Sequence, residues 1–383
     1  MLKIIEIICF VPIIGGSVYS ILCLVSVLIL KSRIASKLDS HFHPPVTLLK
    51  PIYGLEKNLK ENLRTACVQN YPDYQVIYTV QRQDDPAIPV LKEIQQEFGS
   101  EKVTVVIENH KVGLNGKINN LAGAIPYAKH PFLIISDSDI KLRPDYLKAI
   151  IPPLENSSVG YVCTLFKAFG VENWYEKMEL LTMNADFIPN VIFAYITGAS
   201  DYSIGGSIAF RRSTLDEIGG FESLGDYFVE DYEFGKRIRA TGKKAFTVPY
   251  FIETIVDLKK PSQWWNHQFY WDINTRYARP IGFFFTILIR AIPFAFLNFI
   301  IQLGSISSIL WLILAIFIRL SISAVILGWG LKDKEGIRSL YLLPFRDLAG
   351  IVTWFLAFTR KIVIWRGDKY KLTRNGRLVP YVS

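Results

Sequence analysis

The sequence predicts an α/β domain, built on a mostly parallel sheet and carried between apolar membrane segments. Three observations predict it. Between residue 44 and about residue 260, apolar strand-like runs alternate with helical stretches. Residues 4–30 carry one charge, Glu6, in 27 positions. From Pro280 the chain turns apolar again. At 383 residues it is too long for one ordinary domain and suits two modules. Half of it is hydrophobic, with the surplus gathered at the two ends.

Taken in order, the first element is "IIEIICFVPIIGGSVYSILCLVSVLIL". About 20 apolar residues span a bilayer as helix, so this run is long enough. A signal peptide would have a shorter apolar region and a small-residue cleavage site. "KSRIASK" follows it, against a single Lys3 before it. The positive-inside rule then puts the N-terminus outside and the middle of the chain in the cytosol. Residues 1–43 are read as a membrane anchor with a basic linker.

Residues 44–280 are read as the cytosolic domain. "PVTLLKPIYG", "YQVIYTVQRQDDP", "EKVTVVIEN" and "PFLIISDSD" are its strands, each running into a turn. "PAIPVLKEIQQEFG" and "NGKINNLAGAIPYA" are helices between them. In such sheets ligands bind beyond the carboxyl ends of the strands, where "RQDD" and "SDSD" fall. Residues 281–360 hold three candidate membrane segments, 281–303, 305–330 and 339–358. Arg290 and Pro293 interrupt the first; Pro344, Arg346 and Asp347 interrupt the third. Three full crossings would strand the basic tail, 361–383, on the far side. One segment is therefore expected to be re-entrant or interfacial, and 339–358 is the one expected.

The net charge of +9 does not indicate nucleic acid. Lys31, Arg33 and Lys37 follow the first apolar run, and Arg360 to Arg377 follow the last, as contacts with anionic headgroups would require. Four cysteines, Cys9, Cys23, Cys67 and Cys163, show no C-x-x-C spacing. They indicate neither a zinc site nor a disulfide framework.

The chemistry-bearing residues start at Asp137-Ser138-Asp139. Alternate residues of extended chain point the same way, so both carboxylates can converge on one ligand. Hard divalent cations take carboxylate oxygens together with phosphate oxygens. An acidic solvated turn gives the same pattern. Lys117 opens a helix, and a lysine at a helix N-terminus suits a diphosphate; Lys111 and Lys117 on a solvated face is the plainer alternative. Glu230-Asp231 opens an amphipathic helix, where carboxylates also act simply as caps. "WWNHQFYWDINTRYARP" packs aromatics, His267 and two arginines before the membrane, as an interfacial aromatic belt also does.

The ordered motifs "LLKPIYG", "QNYPDYQVIYTVQRQDDPAI", "KVGLNGKINNL", "DSDI", "GGSIAFRR", "VEDYEFGKRI" and "HQFYW" together resemble the ceramide glucosyltransferases and their bacterial relatives. Those relatives include glycosyltransferases associated with hopanoid lipids. The resemblance runs from about residue 44 to 378, with "LLPFRDLAGIVTWFLAF" and "WRGDKYKLTRNGRL" similar to the bacterial branch. It implies a GT-A fold and transfer of a hexose, glucose or N-acetylglucosamine, from a UDP-sugar to the hydroxyl of a membrane lipid. A ceramide, hopanoid or diacylglycerol-type lipid would serve, at a bacterial inner membrane. The family's three aspartates fall on Asp85, Asp137 and Asp231. Asp84 or Asp85 would meet the uridine, and Lys117 and Glu230 would line the nucleotide-sugar site. Asp137, helped by Asp139, would hold magnesium or manganese, and Asp231 would be the base. In the last motif Trp271 is retained, His267 stands first, Gln268 follows, and Tyr270 replaces the family's arginine. Charge for the diphosphate would then come from Arg276 or Arg279. Two rival readings are a processive polysaccharide synthase and a catalytically silent membrane scaffold.

Overall fold

Strand order brings the acidic strand ends together. In the computed structural model, which describes residues 2–34, 41–199, 203–359, 362–365 and 368–381, four strands run parallel in the order β3-β2-β1-β4. They are β1 (Val46–Pro51), β2 (Tyr74–Val80), β3 (Val103–Ile107) and β4 (Phe132–Ser136). Val46, Leu48 and Leu49 on β1 and Leu133, Ile134 and Ile135 on β4 are buried. Such nearly continuous apolar runs, buried at successive positions, mark central strands covered on both faces, where each Leu or Ile contributes ~1.5–3 kcal/mol. The chain moves from β1 outward to β3, then returns to β1's other side as β4. Between those two strands lies the switch point at which α/β sheets open a crevice.

The rest of the sheet departs from the expected parallel pattern. β5 (Ile140–Lys141), β6 (Val159–Phe169), β7 (Ser207–Arg211) and β8 (Lys244–Ile255) complete the order β3-β2-β1-β4-β7-β6-β8-β5. β7 pairs antiparallel with both β4 and β6, and β5 antiparallel with β8. Antiparallel neighbours need no helical crossover on the sheet face, which frees the segment after β6 to go elsewhere.

It goes to a second unit. The chain divides into residues 34–167, 198–255 and 364–383, which hold the sheet, and residues 1–33, 168–197 and 256–363. The second unit therefore takes helices of 168–197 and 256–280 that the sequence reading placed in the cytosolic domain. Among the described residues three helical stretches in it are long and apolar enough to cross a membrane: Ile7–Ser32, Ile306–Gly330 and Lys334–Thr359. A fourth is broken, Pro280–Ile289 and Ala291–Ile301 meeting at 54°. The break falls at Arg290, within 281–303, whereas 339–358 lies inside the stretch Lys334–Thr359. Arg290 leaves the helical conformation there, and Pro293 cannot donate to the helix ladder. Four charges, Arg346 and Asp347 buried and Asp186 and Arg319 partly so, bind this unit together. Arg319 pairs with Asp347 at 3.0 Å and Asp186 at 3.4 Å; Arg346 pairs with Asp186 at 2.6 Å and Asp347 at 2.9 Å.

The sheet unit closes on its own loops. Asn115 N–H donates to Gly225 O at 2.7 Å, Leu114 N–H to Asp226 Oδ1 at 3.1 Å, and Asn115 Nδ2 to Tyr227 O at 2.8 Å. The C-terminal residues, read from sequence as a basic tail, form β9 (Ile362–Trp365), β10 (Asp368–Leu372) and β11 (Leu378–Pro380). Phe228 N–H donates to Gly376 O and Leu378 N–H to Asp226 O, fastening that end to the same segment. Lys37 and Arg360, and the side chain of Arg33, lie outside the described residues.

The two loops touch backbone to backbone. A Cβ at Gly113 would stand 2.2 Å from the carbonyl carbon of Gly225. Gly113→Ala should therefore destabilise the chain by about 1–3 kcal/mol. A thermal melt of the detergent-solubilised protein checks this; an unchanged midpoint would contradict the close approach.

Candidate active site

β4 ends in Ser136, and the chain then delivers Asp137 to the crevice. Lys117 meets it there. The helix Gly116–Ala124 is started by Asn115, whose side-chain oxygen accepts from Lys117 N–H at 2.9 Å and Ile118 N–H at 3.1 Å. That cap sets the first turn, and Lys117 Nζ lies 2.7 Å from Asp137 Oδ1 and 3.3 Å from Glu230 Oε1. Asn115 Nδ2 also reaches Glu230 Oε2 at 3.3 Å. Glu230 and Asp231 form the first turn of the helix Glu230–Ala240, where the dipole favours carboxylates. Lys117 and Glu230 keep 16% and 17% of their side-chain surface and Asp137 keeps 32%, so Asp137 is the group most open to a ligand.

The electrostatics follow from crowding. Burial pushes the Asp137 carboxyl up to about 6; Lys117 opposes the rise and Asp139 adds to it. Asp231 is pushed up to about 7, by burial first and then by Glu230, against the pull of Lys117. For Lys117 burial acts downward, but Asp137 and Glu230 outweigh it and its ammonium is held above the usual lysine range.

Two neighbours escaped the sequence reading. Lys50, fully buried on β1, donates from Nζ to Ser136 Oγ at 3.1 Å and to Asp137 O at 2.8 Å. Burial lowers it to about 8 despite the upward pull of Asp139, Asp137 and Glu56. Glu56, in the turn after β1, is raised to about 7 by burial and by Asp139. A lysine inside the apolar run "VTLLKP" was a readable signal; nothing in "GLEK" distinguishes Glu56 from a surface acid.

The other expected residues are placed as follows. Asp139 Oδ2 accepts from Thr254 Oγ1 on β8 at 2.7 Å. Asp85 is buried and accepts from Gly54 N–H at 3.0 Å and Ala87 N–H at 2.9 Å, tying two loops together. Asp84 is exposed and bonded to Arg82 at 2.8 Å. Lys111 is exposed. His267, Gln268, Tyr270, Trp271 and Arg276 lie on the helix Pro261–Ala278 of the other unit. There His267 Nδ1 is 2.7 Å from Glu179 Oε1, and Gln268 Nε2 donates to Glu179 Oε2 at 2.6 Å. His267 and Tyr270 stack, Trp271 packs beside both, and the Arg276 guanidinium lies over the Tyr277 ring at 4.5 Å.

A divalent cation suits this donor set in one way only. Among the described residues no three His, Cys, Asp or Glu side chains are gathered to hold a metal. Asp137 and Asp139 instead offer two carboxylates beside a crowd of acids, the hard, oxygen-only pair that a cation already carrying phosphate oxygens needs.

Comparison with known proteins agrees with the motif order. The family model described as glycosyl transferase family 21 matches residues 8–378. Ceramide glucosyltransferase 1 of Caenorhabditis elegans is 29% identical over 203 residues, 53% of this chain and 43% of that protein. Ceramide glucosyltransferase of Candida albicans is 26% identical over 122 residues, 29% of this chain and 22% of that protein. The chain thus matches less than half the length of these curated relatives. Among solved structures, a mannosyltransferase from Pyrobaculum calidifontis in complex with GDP-Man and Mn2+ is similar at TM-score 0.49 and 16% identity. That match covers 91% of this chain and 98% of that one. With the family model spanning nearly every residue, the chain belongs to glycosyl transferase family 21.

Proposed function

We propose that this protein moves a hexose, glucose or N-acetylglucosamine, from a UDP-sugar to the hydroxyl of a membrane lipid, with inversion at the anomeric carbon. The observation that carries this reading is the cluster of Lys117, Asp137, Glu230 and Asp231 at the sheet's switch point, with the Asp231 carboxyl pushed up to about 7. Family membership supports the sugar donor, and the helices long enough to span a membrane support a lipid acceptor.

In this reading Asp85 faces the uridine and Lys117 receives the diphosphate at the helix N-terminus. Glu230 holds Lys117 in place. Asp137 and Asp139 would hold magnesium or manganese, which offsets the charge that builds on the departing diphosphate. Asp231 takes the proton of the lipid hydroxyl as the new bond forms. A carboxylate near 4 is too weak a base for this, and one poised near 7 is well matched to neutral pH. The sheet unit faces the cytosol, where the acceptor's hydroxyl is presented at the interface and its chains remain in hydrocarbon.

Incubating the purified chain with labelled UDP-glucose or UDP-N-acetylglucosamine and bacterial lipids should give organic-soluble radioactivity and a β-glycoside by NMR. Ethanol-insoluble polymer, or an α-linked product, would overturn the reading. A chelator should abolish turnover and added magnesium or manganese restore it. Asp231→Asn should slow turnover by roughly 10²–10⁴-fold. In the native chain kcat/KM should fall with falling pH below about 7, where Asp231 gains its proton. Stability moves the opposite way. A carboxyl raised in the folded state stabilises below its unfolded pKa, and that contribution is lost as pH rises through about 7. Asp231→Asn should therefore raise Tm at pH 8, with the gain shrinking at pH 5; an equal shift at both values would contradict the raised carboxyl.

A further inference from the structure

The membrane-type unit contains a cavity of 110 Å³, several times the ~10–15 Å³ that one water needs. It opens at the break between Pro280–Ile289 and Ala291–Ile301. Its lining includes Asp186, Arg290, Arg319, Arg346 and Asp347. Among the charged side chains that line it, three cations face two anions. Arg319 and Arg346 each pair with both Asp186 and Asp347, a closed ring of two cations and two anions. Arg290 is left over. Its Nε is buried without a hydrogen-bond partner. Asp272, which does not line the cavity, and Asp186 are the acids that act on it most, but neither forms an ion pair with it within 4.0 Å among the described residues.

A half-buried guanidinium whose Nε is cut off from water is costly unless an anion meets it. The backbone beside it has the same need. The helix Ala291–Ile301 begins directly after Arg290 with no side-chain cap, so its first amides and its dipole present positive charge. Gly16 on the helix Leu2–Ile34 lets the break pack closely: a Cβ there would stand 2.6 Å from Ile289 O. Broken membrane helices place ligand sites at such half-helix ends, because irregular backbone is tolerated only where it lines a cavity.

We propose that this cavity holds a phosphate oxyanion, with Arg290 and the first amides of Ala291–Ile301 as its donors. The paired ring of Arg319, Arg346, Asp186 and Asp347 forms the neutral wall that leaves Arg290 to the ligand. This inference is independent of sugar transfer and stands or falls by binding alone.

The test uses the full chain, delipidated in a neutral phosphate-free detergent. Tm is followed while inorganic phosphate is titrated against matched sodium chloride, and dihexanoylphosphatidylglycerol against dihexanoylglycerol. At least one phosphate-bearing probe should raise Tm, and its partner control should not. Arg290→Gln should weaken the response about tenfold, as loss of a charge-assisted hydrogen bond does, and Arg290→Lys, which keeps charge but loses Nε, should weaken it less. A response to inorganic phosphate assigns the site to the free ion; a response to phosphatidylglycerol alone assigns it to a lipid headgroup. No response to either probe in the native chain overturns the proposal whether or not the variants fold. So does a response that Arg290→Gln leaves unchanged.

Discussion

The ion pairs of Lys117 with Asp137 and Glu230 are the interaction on which the sheet unit's crevice depends. Three segments far apart in sequence meet at one ammonium: the helix after β3, the end of β4 and the helix Glu230–Ala240. Breaking such a half-buried pair from one side is destabilising, because the partner loses its counter-charge in a place with little water. The surrounding bonds exist to hold that geometry. Asn115 starts the helix that carries Lys117 and also reaches Tyr227 O and Glu230, so one side chain sets both sides of the contact.

Crowding of acids around this lysine has a chemical consequence. Asp137, Asp139, Glu230, Asp231 and Glu56 outnumber Lys117 and Lys50, and burial denies them the water that would stabilise their charge. Asp137, Asp231 and Glu56 answer by holding their protons to higher pH. The arrangement is unfavourable for folding at neutral pH and favourable for a site that receives a cation and gives up a proton. The charged cluster of the other unit solves the same problem differently. There two arginines and two aspartates close on one another, and Arg290, which lines the same cavity, makes no ion pair among the described residues.

Much of this was readable in the chain. The apolar run of β4 followed by "DSD" marked a strand end facing a crevice. Lys117 was legible because a polar cap residue and a glycine precede it. Glu56 was not, since a single acid in a turn carries no periodicity and no spacing. The break at Arg290 was half legible: the charge and Pro293 were visible, but so were Pro344, Arg346 and Asp347 in the later segment. Arg346 and Asp347 are satisfied by Arg319 and Asp186, so that helix stays long enough to cross. Arg290 makes no ion pair among the described residues, and the helix is broken there.

The sequence by itself determined the α/β class, the parallel start of the sheet, the apolar helices and the order of the family's motifs. These rest on local periodicity and composition, which are properties of neighbouring residues. Only the tertiary structure decided that β5 to β8 extend the sheet with antiparallel pairings, and that the chain's end folds back onto residues 226–228. It also decided which acids share one lysine and which arginine goes unpaired. Those outcomes depend on distances between residues up to about a hundred positions apart or more, and such distances are set by packing rather than by any pattern along the chain.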